Sequence, residues 1–108
     1  MAKYTKTLRG DFDTILRTVV DGVLNASMSA ELEDAWDCNQ GGIRCSVRVF
    51  ERYSYAGGNR VSMNVTLLQT GDTVQLCAIT SGGSQAVFWK VNTWGEETFL
   101  ETLSNLFE

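Results

Sequence analysis

The sequence predicts an α+β fold in which two helices pack on one face of an antiparallel sheet. Between Ile43 and Ser81, three runs alternate apolar and polar residues, which is the period of a strand with one buried side. Short turns containing glycine separate these runs, and no proline interrupts them. Two other segments repeat apolar residues at the spacing of a helix face. Such helices and such a sheet bury one another as a two-layer sandwich.

Length, composition and charge restrict the class of protein. The 108 residues suit one domain over residues 1–108, and 44% hydrophobic with 20% charged residues is ordinary globular usage. A core of this size needs no metal or disulfide, so we expect no cofactor. The net charge of -4, with scattered basic residues, disfavours nucleic acid as a partner. Without a signal peptide or a membrane-length apolar run, we expect a cytoplasmic protein that does not bind membranes.

The cysteine pattern disfavours disulfides and metal binding. Cys38, Cys45 and Cys77 are odd in number and lack the spacing of a zinc site, and the chain contains no histidine. The absence of histidine also removes the usual general base near neutral pH. We therefore expect reduced thiols, with Cys38 and Cys45 facing the helices and Cys77 facing away.

The N-terminal part predicts an edge strand and then a helix. Lys3–Leu8 is the strand, and Asp11 after Gly10 is the N-cap, because its carboxylate can accept from open backbone N–H groups. Asp13 adds favourable charge in the first turn. The apolar face of the helix comprises Phe12, Ile15, Leu16, Val19, Val20, Val23 and Leu24.

A hairpin follows, with its first strand starting at Ser27 and a four-residue loop at Asn39–Gly42. This register sets Cys38 opposite Ile43, Trp36 opposite Cys45 and Leu32 opposite Val49. It directs the apolar series of the second strand, Ile43, Cys45, Val47 and Val49, toward the helices. On the solvated face it pairs Asp37 with Arg44 and Glu33 with Arg48.

The next two strands are placed by the same parity argument. The apolar series Val61, Met63, Val65 and Leu67 joins the face of Val47 if the preceding loop is odd, such as Gly57-Gly58-Asn59. The two-residue turn Gly71-Asp72 then sets Leu67 opposite Leu76 and Val65 opposite Ala78.

The C-terminal part predicts a short strand and a second helix. Ala86–Val91 is apolar, and Thr93–Glu96 has the pattern of a capping box. The apolar face of this helix comprises Phe99, Leu100, Leu103, Leu106 and Phe107.

Two carboxylates interrupt the predicted apolar face. Asp34 and Glu51 fall on it about 13 Å apart, which is too far for a close acid/base pair. Glu51 either lies at an open end of the core, bonded to Tyr53, Tyr55 or a helix group, or it belongs to a polar ligand site. The candidate ligand-binding residues are Trp36, Glu51, Tyr53 and Tyr55.

A glycine-rich loop is a second candidate site. Gly82, Gly83, Ser84 and Gln85 could present backbone N–H groups to an anion, although such residues more often serve only as a connection, and the sequence favours that interpretation. No Walker or dinucleotide-binding pattern is present.

The outer face of the predicted sheet is a candidate interface. Phe50, Leu68, Cys77 and Ile79 interrupt its polar character, which suits a homodimer or another partner. The alternative is that Ala86–Val91 folds over this face.

Three segments carry a resemblance to known proteins. In Arg48–Val61, Ala78–Ala86 and Asn92–Glu97, the chain resembles a family of small uncharacterised proteins from gut and soil Firmicutes, over its whole length. This resemblance implies a bacterial, cytoplasmic, stand-alone domain and supplies no activity or catalytic residue. The order of elements is also similar to helix-grip and TBP-like folds, some of which hold apolar ligands between sheet and helix.

The sequence thus favours a non-enzymatic module that binds a small apolar ligand or a protein, including a second copy. The alternative is an enzyme that uses Glu51 or Asp34 as a base while the Gly82–Gln85 loop holds an anionic substrate.

Overall fold

The computed structural model describes residues 1–53, 59–82 and 99–107. The strands are β1 (Ala2–Arg9), β2 (Glu31–Gln40), β3 (Ile43–Tyr53), β4 (Arg60–Thr70) and β5 (Thr73–Gly82). Helix α1 is Phe12–Ala26, and helical residues 99–107 are called α2. The described strands form one antiparallel sheet in the order β1-β5-β4-β3-β2. This confirms an α+β fold with an antiparallel sheet and places β1 at an edge, as predicted.

Helix α1 begins as its sequence predicts. The carboxylate of Asp11 accepts from the backbone N–H of Thr14 at 3.0 Å and from its hydroxyl at 2.9 Å. These bonds satisfy open donors of the first turn. The helix buries Phe12, Ile15, Val19 and Val23 against the sheet, as the apolar spacing predicts.

Both helices pack on the same side of the sheet. Phe99 and Leu103 of α2 are fully buried in the same core as the buried face of α1. The helices also touch each other directly, because a Cβ atom added at Gly22 would collide with the side chain of Leu106. One layer of helices therefore covers one face of the sheet, in agreement with the predicted arrangement.

The centre of the core comes from β4 and β5. Gly71 has a φ of +65° in the two-residue turn that joins them, and Leu67 lies opposite Leu76, as predicted. Val65 lies opposite Ala78, also as predicted. The buried apolar residues of these two strands are Val61, Met63, Val65, Leu67, Val74, Leu76 and Ala78.

Strand β3 faces the opposite way from the prediction. Phe50 lies opposite Met63 and Arg48 lies opposite Val65, so the even-numbered residues of β3 face the helices. The odd-numbered residues face away, namely Ile43, Cys45, Val47, Val49, Glu51 and Tyr53. The predicted orientation was wrong because Tyr53 lies opposite Arg60, which leaves an even number of residues, 54–59, between them. A change of one residue in register exchanges the two faces of a strand.

Three arginines share the helix side of β3 with Phe50. Arg44 lies 4.3 Å from the ring centroid of Phe12, and buried Arg52 lies 4.5 Å from that of Phe99. These guanidinium groups stack on aromatic faces while their alkyl stems cover apolar surface. The core thus accommodates cationic residues on this strand because each one lies over a ring or beside an acid.

The hairpin between β2 and β3 has a tighter turn than predicted. Gly41 and Gly42 have φ values of +59° and +80°, as a two-residue turn requires, and Gln40 lies opposite Ile43. Cys38 therefore lies opposite Cys45, and Trp36 lies opposite Val47, two residues from the predicted register. A shift of two residues keeps the side chains on one face, so Trp36 follows Val47 away from the helices.

Strand β2 contains a β-bulge between Leu32 and Asp34. Leu32 lies opposite Phe50 on the helix side, whereas Asp34 lies opposite Val49 on the other side. The prediction that Leu32 and Trp36 share a face was therefore wrong, because the extra residue in the bulge exchanges the faces. The strand also begins at Glu31 rather than Ser27. The predicted strand Ala86–Val91 and the capping box lie outside the described residues.

The orientation of β3 can be tested by truncating one side chain on each face. We expect Phe50→Ala to lower the free energy of unfolding by about 3 to 5 kcal/mol, because it opens a cavity in the core. Leu68→Ala, on the opposite face of the sheet, is the matched control and lowers it by no more than about 1 kcal/mol. Urea denaturation at a protein concentration low enough to keep the chain monomeric measures both. Equal losses in the two variants would contradict the observed orientation.

Candidate functional site

The open face is the side of the sheet that points away from the helices. Directly opposed residues of neighbouring strands project to the same side, so the register defines its rows. From β1 to β2, the first row is Lys3, Ile79, Asn64, Val49 and Asp34. The second is Thr5, Cys77, Thr66, Val47 and Trp36, and the third is Thr7, Gln75, Leu68, Cys45 and Cys38. Neither α1 nor α2 packs on this face.

An apolar patch occupies the open face. Trp36 is 58% exposed, Ile43 50%, Ile79 39% and Leu68 37%. Val47 and Val49 are half-buried between them, and a shallow cavity of about 220 Å³ lies beside Trp36 and these two valines. We define the apolar patch as Trp36, Ile43, Val47, Val49, Leu68 and Ile79. An exposed cluster of large apolar side chains is typical of a surface that meets another molecule.

Residues predicted to line a pocket between sheet and helices lie elsewhere. Trp36, Glu51 and Tyr53 are all on the open face, so their predicted orientation was wrong. The physical reason is again the even loop before β4, together with the register of β2 on β3. A ligand-binding role for these residues stays a prediction, but a shared pocket under the helices is not available to them.

Glu51 lies in a polar cluster at one end of the open face. Its carboxylate accepts from Arg60 at 2.7 Å and from the hydroxyl of Ser62 at 3.1 Å. The Arg60 guanidinium also lies 3.6 Å from Glu33 and 5.6 Å from the ring centroid of Tyr53. The predicted partners of Glu51 were tyrosines or a helix group, but an arginine and a serine of β4 take this role.

Asp34 also lies on the open face, not on the helix side where the sequence placed it. Its carboxylate accepts from the backbone N–H of Ala35 at 2.8 Å. Asp34 shares the face of Trp36, which follows the inverted β3, whereas the bulge on its other side turns Leu32 to the helix side. Asp34 therefore marks the β2 edge of the open face, beside Val49.

The glycine-rich candidate loop is described only at its start. Gly82 ends β5 opposite Val61, with a φ of +106°. A Cβ atom at this position would lie 3.0 Å from the carbonyl oxygen of Arg60, so the strand end requires glycine. Gly83, Ser84 and Gln85 lie outside the described residues, as does Tyr55.

Two of the three predicted interface residues are on the open face. Leu68 and Ile79 project there, as predicted, but Phe50 is fully buried in the core because β3 is inverted. Sequence reasoning missed Val47 and Val49 as surface residues, although it recognised them as an apolar series. The alternation of apolar residues along β3 was recognised, but its apolar side was assigned to the wrong face of the sheet.

All three cysteines are free and half-buried, and all three are on the open face. The prediction that Cys77 faces away from the helices is confirmed. The prediction that Cys38 and Cys45 face the helices was wrong, since both follow the inverted β3. Among residues 1–53, 59–82 and 99–107, no group of three potential metal ligands is found. No helix in these ranges is long and apolar enough to cross a membrane.

Ion pairs on the helix side connect β3 to its neighbours. Arg44 binds Asp13 of α1 at 2.8 Å, and Arg48 binds Asp37 of β2 at 3.0 Å. The predicted pairs, Asp37 with Arg44 and Glu33 with Arg48, were wrong because the register differs by two residues and β2 bulges. The pKa of Asp37 is lowered by hydrogen bonds from Arg48 and Ser46. A hydrogen bond from Arg44 likewise lowers the pKa of Asp13 and raises that of Arg44 itself.

The described fold and surface define a small α+β domain whose sheet carries helices on one face and an apolar patch on the other. The sequence profile of one family covers residues 1–108, so the chain belongs to the family of unknown function DUF6054. No curated protein matches the chain. The expected membership of an uncharacterised family is confirmed, and its restriction to Firmicutes stays a prediction.

The ion pair of Asp37 predicts a pH dependence of stability. Because its pKa is lower in the folded chain than the ordinary value of 3.8, ionised Asp37 stabilises the fold above that value. This contribution is lost as the pH falls through the lowered pKa. We expect the free energy of unfolding to decline below about pH 4, and to decline less steeply in Asp37→Asn.

Urea denaturation at a series of pH values measures the slope, and carboxyl NMR titration gives the pKa of Asp37 directly. The variant Arg48→Met removes the main cause and is expected to raise this pKa toward 3.8. A pKa of Asp37 that does not respond to this change would contradict the assigned ion pair.

Proposed function

We propose that the protein is a protein-interaction module that self-associates through the open face of its sheet. The apolar patch is the single observation that carries this proposal. The patch spans strands β2 to β5 and contains four exposed large apolar side chains on one surface. Burying such a surface against another copy releases water from it and supplies the driving force for association.

The shape of the open face favours a protein partner over a small ligand. Small-molecule sites are concave and usually hold about 300 to 1,000 Å³. The cavity beside Trp36 holds about 220 Å³ and is shallow. A broad apolar surface with a shallow centre suits the face of another protein better than it suits a lone molecule.

The alternative of a carboxylate-dependent enzyme gains little support from the described contacts. Glu51 is bound by Arg60 and Ser62, which hold it as an ion-paired carboxylate. Asp34 accepts a bond from its own chain and lies at the edge of the sheet. The loop proposed to hold an anionic substrate is described only at Gly82. This alternative stays a prediction.

Other features of the proposal come from the resemblance and the sequence. A cytoplasmic location and a bacterial host are expected, and the helix-grip or TBP-like name for the fold is a further expectation. The proposed self-association depends on none of them. It depends on the side of the sheet to which β3 directs its valines.

Charged substitutions in the apolar patch test the proposal. We expect the wild-type protein to show a concentration-dependent dimer in sedimentation equilibrium. Leu68→Glu places a charge at the centre of the open face and weakens association by about 100-fold, as loss of a central contact does, whereas Trp36→Glu places a charge on the outer strand β2 and weakens association less. Met28→Glu is the matched control, because Met28 is a fully exposed apolar residue in the turn before β2.

Each variant is checked for folding by circular dichroism and by its urea midpoint at low concentration. A wild-type protein that remains monomeric at high concentration would overturn the proposal. So would a dimer that is weakened equally by Met28→Glu and by the patch variants.

A further inference from the structure

We infer that the two copies meet face to face about a two-fold axis along β4, with Lys3 of one copy opposite Asp34 of the other. This inference rests on the proposed self-association and specifies its geometry. It comes from the charges at the two edges of the open face and from the position of β4 at the centre of the sheet.

The two edges of the open face carry opposite charge. On β1, Lys3 and Arg9 project to this face, with Arg9 bound to Asp72 of its own chain at 2.8 Å. On β2, Glu31 and Asp34 project to it. Strands β1 and β2 are the outer strands of the described sheet, with three strands between them. The open face therefore has a basic edge, an apolar patch displaced toward β2, and an acidic edge.

Only some symmetric arrangements bring these edges into favourable contact. A closed dimer has a two-fold axis, and for two sheets packed face to face that axis lies between them. An axis across the strands lays each strand over its own copy, which sets the acidic edge against itself. An axis along the strands lays β1 over β2 of the second copy, which sets basic against acidic. Electrostatic complementarity at the edges selects the second arrangement, and Arg60 of β4, which meets its own symmetry mate near the axis, is already paired with Glu51 of the same chain.

The same axis also brings part of the apolar patch together. With the axis along β4, strand β5 of one copy lies over β3 of the other. Ile79 then approaches Val49 of the second copy, and Cys77 approaches its Val47, since each pair shares a row. Leu68 lies near the axis, close to its own symmetry mate.

Lys3 and Asp34 occupy the two ends of one row, so the axis brings them together twice in each dimer. Both residues are exposed in the single chain. One oxygen of Asp34 accepts from Ala35, and a carboxylate has further acceptor capacity for the ammonium group of a lysine. The pair would border the apolar contacts of Ile79 and Val49, at the rim where charged residues usually lie.

The size of the open face is sufficient for a dimer. Five strands spaced about 4.8 Å apart, each rising about 3.3 Å per residue, make a face of roughly 700 Å². A standard interface buries about 800 Å² on each partner. The face therefore approaches this size when most of it is covered, which requires the broad overlap that an axis along β4 gives.

Charge reversal with exchange between copies tests the inference. Lys3→Asp makes both contacts acidic, and Asp34→Lys makes both basic, so each variant alone is expected to weaken the dimer about tenfold. An equimolar mixture of the two variants forms heterodimers in which both contacts are again of opposite charge. We expect this mixture, and the double variant Lys3→Asp/Asp34→Lys, to associate as the wild type does.

The matched control is Lys3→Asp/Asp21→Lys, which restores the same net charge with a lysine on the exposed side of α1. It is expected to remain as weak as Lys3→Asp alone. Sedimentation equilibrium measures all variants, and native mass spectrometry of the mixture counts heterodimers by their mass.

The outcomes separate this inference from the proposal on which it rests. A wild-type dimer that Leu68→Glu dissociates, but whose affinity no charge variant changes, overturns the axis and leaves self-association standing. The axis is also overturned if each single variant weakens the dimer and the equimolar mixture of the two variants does not restore its affinity. A monomeric wild-type protein overturns both, and it would follow if residues 83–98 of the same chain cover the patch.

Discussion

The length of the connection between β3 and β4 is the constraint on which the rest of the structure depends. With Tyr53 opposite Arg60, an even number of residues separates the paired ends, and this parity fixes which face of β3 enters the core. Phe50 then packs under the helices, and Val47 and Val49 become surface residues. Strand β2 follows β3 through the Gly41-Gly42 turn, so the side of Trp36 is fixed by the same parity. The core and the candidate interface are consequences of one register.

Strand β3 could in principle bury either face, and this explains why its sequence is ambiguous. One side presents Cys45, Val47 and Val49, and the other presents a single large aromatic residue, Phe50, among arginines. Alternation alone favours the first side. The structure favours the second, because the guanidinium groups of Arg44 and Arg52 lie over the rings of Phe12 and Phe99. These rings come from α1 and α2, which are distant in sequence, so no local pattern could reveal them.

Most features set by local chemistry were predictable from the sequence, whereas the two-residue turn Gly41-Gly42 and the features set by long-range pairing were not. The N-cap at Asp11, the apolar face of α1 and the Gly71-Asp72 turn depend on neighbouring residues and agree with the structure. The bulge in β2 and the orientation of β3 depend on contacts between strands. The candidate site was predictable in part, since Leu68 and Ile79 were recognised as outward-facing. The valines were assigned to the core because a loop with an odd instead of an even number of residues reverses a whole strand.

The edges of the sheet also bear on which surface can associate. An edge strand with unpaired backbone groups can add strands from another copy, and β2 is one such edge in the described sheet. Antiparallel pairing of the whole of β2 with β2 of a second copy would set Asp34 opposite the like-charged Asp37 of that copy at two places, and the bulge in β2 interrupts the ladder of hydrogen bonds. Pairing of β1 with β2 of another copy satisfies charge, but it uses different surfaces on the two copies and so does not form a closed dimer. Association through the open face avoids both the like-charge contact and the open-ended pairing, because two copies form a closed dimer without pairing backbone groups. The acidic residues of β2 therefore have two effects. They disfavour pairing of β2 with β2 of a second copy, and in the face-to-face dimer they determine that β2 lies over β1 of the second copy.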